Sequence, residues 1–143
     1  MANRNTQGFG LIPAGTIGST PSTQGQGKYL IDAGMAVDLF QGTAVKSAAG
    51  YIVTAQAAIT NTCIGVLNGI FYNDATTKKP TFANFYNQPI TPANSEDITA
   101  FVIDNPNQLF VGAIDASAAQ SQYGRTYGLT VTAAGSDLSG QSS

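Results

Sequence analysis

The chain contains no histidine. That absence removes the base of a Ser-His-Asp triad, the partner of a Cys-His pair and the commonest zinc ligand. It contains no tryptophan either, the side chain most favoured for stacking on sugars in a cleft. Its single cysteine, Cys63, excludes an intrachain disulfide, and the apolar setting CIGVL predicts a buried, inert thiol. Charged residues make up only 10% of the chain, against about 25% in an ordinary globular protein. The six basic residues (Arg4, Lys28, Lys46, Lys78, Lys79, Arg125) are scattered and the net charge is −2, so there is no electrostatic footprint for nucleic acid. No run of about 18 apolar residues exists to span a membrane as a helix. No charged segment followed by an apolar run opens the chain as a secretory signal would. Folding in a reducing cytoplasm is therefore expected. Helical periodicity is nearly missing as well.

What is present is a polar, glycine-rich opening. Residues 1–27 read MANRNTQGFGLIPAGTIGSTPSTQGQG. A segment of this kind buries too little apolar surface to offset its own ordering entropy. Yet Phe9, Leu11, Ile12 and Ile17 would have no purpose in a plain linker. The expectation is an extended N-terminal arm that becomes ordered against another surface, which points towards assembly rather than catalysis.

Beyond it, β signals recur. Lys28–Ile31 leads into an Asp32-Ala33-Gly34 turn. Thr43–Lys46 and Tyr51–Thr54 flank Ser47-Ala48-Ala49-Gly50, a hairpin with a four-residue loop. Cys63–Tyr72 is the strongest apolar run, and its Gly65 and Gly69 predict a bulge or a close backbone approach. Ile98–Ile103 and Gln108–Ile114 bracket Asp104-Asn105-Pro106-Asn107, read as a second hairpin. Phe101, Ile103 and Phe110 are expected to be at least partly buried around it. Leu129–Thr132 is a weaker strand, and only the stretch 116–122 suits a short helix. The fold class predicted is all-β, a small β-barrel or sandwich with an extended N-terminal arm and at most one short helix. The expected organisation is an arm over 1–27, a β domain over 28–132 and a polar tail over 133–143. Residues 73–97 form a long polar loop carrying Phe82, Phe85 and Tyr86, which either cap the domain or meet a partner.

Catalytic constellations fail. No phosphate-binding or dinucleotide fingerprint occurs, and Gly8-Phe9-Gly10 neither follows a strand nor opens a helix. Most of the eight acidic residues sit in turn contexts, and Glu96 and Asp97 are adjacent, so in a strand they would point to opposite faces. No EF-type calcium spacing is present. The chain is expected to have no catalytic residues, no cofactor and no metal.

The order of four short pieces resembles a family of small tailed-phage head proteins. Tyr29–Lys46 (YLIDAGMAVDLFQGTAVK) resembles the family's extended segment ending in "lf-G-t-p-V". CIGVLNGIFY within Gly50–Tyr72 is similar to its "i-l-G-V-f-n-G-v-y-Y" strand. Thr99–Phe110 (TAFVIDNPNQLF) resembles "A-x-V-x-D-D-P-n-x-x-F", and Tyr123–Ser142 resembles its glycine-rich region and "G-x-S" turn. The family's further β segment after that turn has no counterpart before Ser143. The resemblance implies a capsid decoration (cement) protein on the outer surface of the virion head, with no catalytic residues. Its partners would be the major capsid protein and neighbouring copies of itself, with no nucleic acid and no membrane. The partner-contact candidates are Phe9, Leu11, Ile12, Ile17, Phe82, Phe85 and Tyr86. The alternative is a receptor- or carbohydrate-binding module of a virion fibre or host surface, with Phe82, Phe85 and Tyr86 lining its cleft.

Overall fold

The computed structural model describes residues 9–18, 25–55, 62–113, 119–127, 129, 135 and 140–142. The protein is mostly β, in two sheets, and belongs to the all-β, sandwich-like class without a closed barrel. Its strands are β1 (Ile12–Thr16), β2 (Gly27–Ile31), β3 (Ala44–Ala48), β4 (Tyr51–Thr54), β5 (Gly65–Asn73), β6 (Pro80–Ala83), β7 (Ile98–Ile103) and β8 (Gln108–Val111). The larger sheet runs β2-β7-β5-β3-β4, with β6 also on β5, and every pairing is antiparallel. β3 meets β5 at Gly65 and Val66, whereas β6 meets it at Ile70–Asn73. β2 and β4, at the two ends of this order, approach each other without forming a ladder. The smaller sheet is a two-stranded ribbon of β1 and β8.

The central strand shows how sequence dictates packing. Leu67 and Ile70 are three residues apart, so a regular strand would send them to opposite faces. Both are nevertheless core residues, because the register against β7 shifts between Leu67 and Gly69 and leaves Asn68 as the extra residue of a bulge. The expectation of a bulge near the strand glycines therefore holds. Gly65 is required for closeness: a Cβ there would collide with the carbonyl oxygen of Ile103. β7 alternates cleanly, with Ile98, Ala100 and Val102 inward. They join Ile31, Leu39, Val45, Ile52, Leu67, Ile70 and Tyr86 in one core.

Several local expectations are refined. The β3–β4 hairpin turns on two residues rather than four: Ala48 faces Tyr51, and Ala49 and Gly50 both have positive φ, at 51° and 89°. That is the turn class whose twist matches paired strands. Asp104–Asn107 does turn the chain, with Asn105 accepting from the Asn107 N–H at 2.9 Å. But β7 and β8 do not pair with each other, so this is a corner between the two sheets and not a hairpin. Phe101, Ile103 and Phe110 are half-buried there, as expected. The 73–97 stretch is not one loop. Asp74 nucleates a turn by accepting from the N–H groups of Thr76 and Thr77, and β6 returns along β5. The helical expectation over 116–122 reduces to one 3-10 turn at Gln120–Gln122, and residues 116–118 lie outside the described set. Of the expected strand Leu129–Thr132, only Leu129 is described.

Candidate functional site

The arm has an intramolecular partner, which its polar composition conceals. β1 pairs with β8, with Ile12 facing Val111 and Thr16 facing Gln108. The Leu11 N–H donates to the Gly42 carbonyl at 2.9 Å, and the Ile17 N–H to the Asn107 carbonyl at 2.8 Å. Phe9, Leu11, Ile12 and Pro13 border a 200 Å³ cavity with Val66 and Ile103, and so cover one end of the sheet's outer face. Residues 9–17 are thus part of the β body, and the boundary placed after residue 27 does not separate them from it. Backbone pairing with β8 supplies what their side chains could not.

The polar tail is corrected in the same way over 140–142. Gln41 and Gln141 form a parallel bridge, Ser142 N–H donates to the Gln41 carbonyl at 2.8 Å, and Gly140 and Ser142 are buried. A Cβ on Gly140 would strike the Phe85 ring.

The ribbon's two faces differ. Antiparallel pairing and alternation place Ile12, Leu109 and Val111 on one face, and Ile17 one step beyond them. These side chains remain 46%, 47%, 52% and 59% exposed for Ile12, Leu109, Val111 and Ile17 respectively. Each ribbon strand pairs on one edge alone among the described residues, so both outer edges offer backbone groups. A bulge between Pro13 and Gly15 interrupts β1, and the Gln108 side-chain amide donates to the Gly15 carbonyl there at 2.8 Å. Leu109 and Val111 were not among the contact candidates. The alternation in Gln108-Leu109-Phe110-Val111 was the available signal, hidden by assigning β8 to the wrong neighbour.

The three loop aromatics do not act together. Tyr86 is fully buried, its hydroxyl donates to the Met35 carbonyl at 2.8 Å, and its backbone pairs with Leu39. It is a core residue and not a partner contact. Phe85 is half-buried and stacks on Phe40, with centroids 5.7 Å apart. Only Phe82 is open, at 73% exposure, and it packs beside Phe71 and Phe101 on the outer face of the larger sheet. Tyr123 and Tyr127 are also exposed, and no sequence pattern marked them.

Five of the eight acidic residues have structural duties. Asp32 accepts from the Gly34 N–H, Asp38 from the Gln88 N–H, Asp74 from its own turn, Asp97 from the Tyr51 hydroxyl and Asp104 from the Tyr29 hydroxyl. The hydrogen bonds from Thr77, backbone first and then hydroxyl, hold the Asp74 carboxyl below its ordinary range. The hydrogen bond to Asp104 pushes the Tyr29 hydroxyl up, as that to Asp97 does for Tyr51. Cys63 corrects another expectation. It precedes β5, is exposed, and its thiol donates to the Gly65 carbonyl at 3.2 Å. Among the described residues, no three His, Cys, Asp or Glu side chains gather in a group that could hold a metal, and no helix is long and apolar enough to cross a membrane. Compared with protein-family models, curated proteins and solved structures, the chain matches none.

Proposed function

We propose that this protein decorates the outside of a tailed-phage head and stabilises contacts between capsid subunits. The observation that carries the reading is the ribbon. An arm sequence rich in glycine and amides is committed to presenting Ile12, Ile17, Leu109 and Val111 to solvent beside two strand edges that pair with no other strand among the described residues. A surface poor in charge and an exposed apolar face suit a chain that works packed against neighbours. The resemblance of four ordered segments to phage decoration proteins supports the same reading.

The mechanism is burial repeated over many copies. Each of the four side chains is about half exposed, so covering it yields roughly 1 kcal/mol, about 4 kcal/mol for the face. That is too little for one isolated contact once association entropy is subtracted. A strand from the major capsid protein laid along the edge of β1 or β8 would add main-chain hydrogen bonds, and repetition on a symmetric shell would multiply the effect. The proposal thus moves the attachment surface from a separate extended arm to a ribbon formed by part of the arm and β8.

The test is co-sedimentation with expanded heads assembled without the decorating protein. The wild-type chain is expected to bind. The double variant Leu109→Asp, Val111→Asp is expected to keep its far-UV circular dichroism spectrum and lose binding. Undiminished binding by that folded variant would remove the ribbon from the interface, and no binding by the wild type would remove the function.

A further inference from the structure

The outer face of the larger sheet carries a second feature that head attachment does not use. Gln26, Asn68, Gly69, Phe82, Asn84 and Phe101 border an open groove of 460 Å³. A recess of 370 Å³ adjoins it beneath the ribbon, sharing Gln26 and Asn68 and adding Thr16 and Gln108. Both volumes fall within the range of small-molecule clefts, roughly 300–1,000 Å³. Phe82 and Phe101 lie nearly parallel, 18° between planes and 6.1 Å between centroids, and Phe71 braces Phe82 from the side at 4.7 Å. Phe82 is therefore held in place while staying largely exposed. Gly69 faces Phe101 across the ladder and leaves the floor beside that ring without a side chain.

The polar component is all amide and hydroxyl. No charged side chain lines either space among the described residues; Lys28 pairs with Phe101 across the β2–β7 ladder without entering the lining. Asn68 reaches both spaces because it is the bulged residue of β5, a device that re-aims a side chain out of the regular alternation. The Gln41 amide donates to the Asn68 oxygen at 3.1 Å and orients it.

We propose that this groove and recess form a binding cleft for a neutral saccharide. A sugar ring has an apolar C–H face that stacks on an aromatic shelf, and a rim of hydroxyls that both donate and accept. Phe82 and Phe101 supply the shelf, Asn68 and Gln26 supply amides that match hydroxyls in both senses, and Gln108, whose Nε2 already donates to the Gly15 and Leu109 carbonyls, supplies its amide oxygen. An anionic ligand finds no cation in the lining. An extended apolar peptide brings no side-chain donor for the Gln108 oxygen and no side-chain acceptor for the Asn68 amide group. The cleft uses the inner face of the ribbon and the sheet, so it can be occupied whether or not the outer ribbon face touches a head.

The experiment titrates the full-length ¹⁵N-labelled chain with maltohexaose, cellohexaose, chitohexaose and mannohexaose, and separately with a heparin fragment and an uncharged apolar hexapeptide. At least one neutral saccharide is expected to give saturable shifts centred on Asn68, Phe82 and Phe101, with a Kd of about 1 mM or tighter. Phe82→Ala, at an exposed position, is expected to preserve the fold and weaken that binding about tenfold. Asn68→Ala should weaken it as well without moving the resonances of the ribbon's outer face. Absence of saturation by all four saccharides overturns the proposal. So does binding that Phe82→Ala leaves unchanged, or binding by the heparin fragment or the peptide alone. Because head co-sedimentation is read separately with the ribbon variant, either idea can fail without the other.

Discussion

Replacing Tyr86 separates a core residue from a contact residue. Its ring is fully buried among Ile31, Leu39 and Ile98, and its hydroxyl closes a 2.8 Å bond to the Met35 carbonyl across 51 residues of sequence. Tyr86→Phe keeps the ring and deletes that bond, for a loss of about 1 kcal/mol. Tyr86→Ala also removes the ring, and a buried aromatic cut to alanine costs about 3–5 kcal/mol. At about 2–4 °C per kcal/mol for a domain near this size, the alanine variant should melt at least about 6 °C lower. With no tryptophan present, far-UV circular dichroism during urea unfolding is the suitable probe. The pH dependence adds a second reading. Burial first, then the charges of Asp38 and Asp32, push the Tyr86 hydroxyl above its ordinary pKa. The folded state thus holds a proton that the unfolded chain releases near pH 10. The resulting stability is fully present below about pH 10 and is lost as pH rises through the folded value. The stability gap between wild type and Tyr86→Phe should therefore narrow in alkali. A Tyr86→Ala protein within about 1 kcal/mol of wild type would refute the placement of this ring in the core.

Three further outcomes are expected. Cys63 should react fully with an aromatic disulfide reagent in the native protein, and labelling that requires denaturant would contradict its exposure. Gly65→Ala should cost about 3 kcal/mol, because the new methyl meets the Ile103 carbonyl, while Gly15→Ala, with open space around it, should stay within about 0.5 kcal/mol; equal melting temperatures would refute the close approach. The Asp74 carboxyl, stabilised by Thr77, should titrate below the ordinary aspartate value in a ¹³C NMR experiment. Its contribution is present above that ordinary value and is lost as pH falls through the folded one, so a midpoint at or above the ordinary value would refute the turn geometry.

The sequence carried strand positions well and strand partners poorly. Ile98–Ile103 and Lys28–Ile31 were legible because alternation or β-rich composition survives in a single strand. Gly65 and Gly69 likewise marked the central strand's close approach and bulge. Pairing was less legible. Asp104-Asn105-Pro106-Asn107 has the composition of a hairpin turn, yet it serves as a corner, since turn residues set local backbone angles and not the strand that follows. Phe82 and Tyr86 were grouped as aromatics of one polar loop, but β6 ends at Ala83 and the bend at Asn84-Phe85 resets the phase before Tyr86 enters the core. Cys63 borrowed its apparent burial from neighbours inside β5, although it sits ahead of the strand, where alternation has no hold. The arm's docking was hidden for a different reason. Its energy comes largely from main-chain pairing, which leaves no trace in side-chain composition.

The ribbon also sets an order of events. Gly15 and Gln108, which bond across it, are 93 residues apart, and the strands of the larger sheet lie within the loop they close. Closing a flexible loop of that length would cost about 4 kcal/mol of chain entropy, more than two short strands with half-exposed side chains can repay. The larger sheet must therefore condense first and bring β8 near its partner, making the ribbon a late clasp and an early one to open. Because Ile12 faces Val111, tension applied to the chain just before β1 and just after β8 peels the clasp from a single end, one rung after another, once the hydrogen bond from Leu11 to the Gly42 carbonyl has parted.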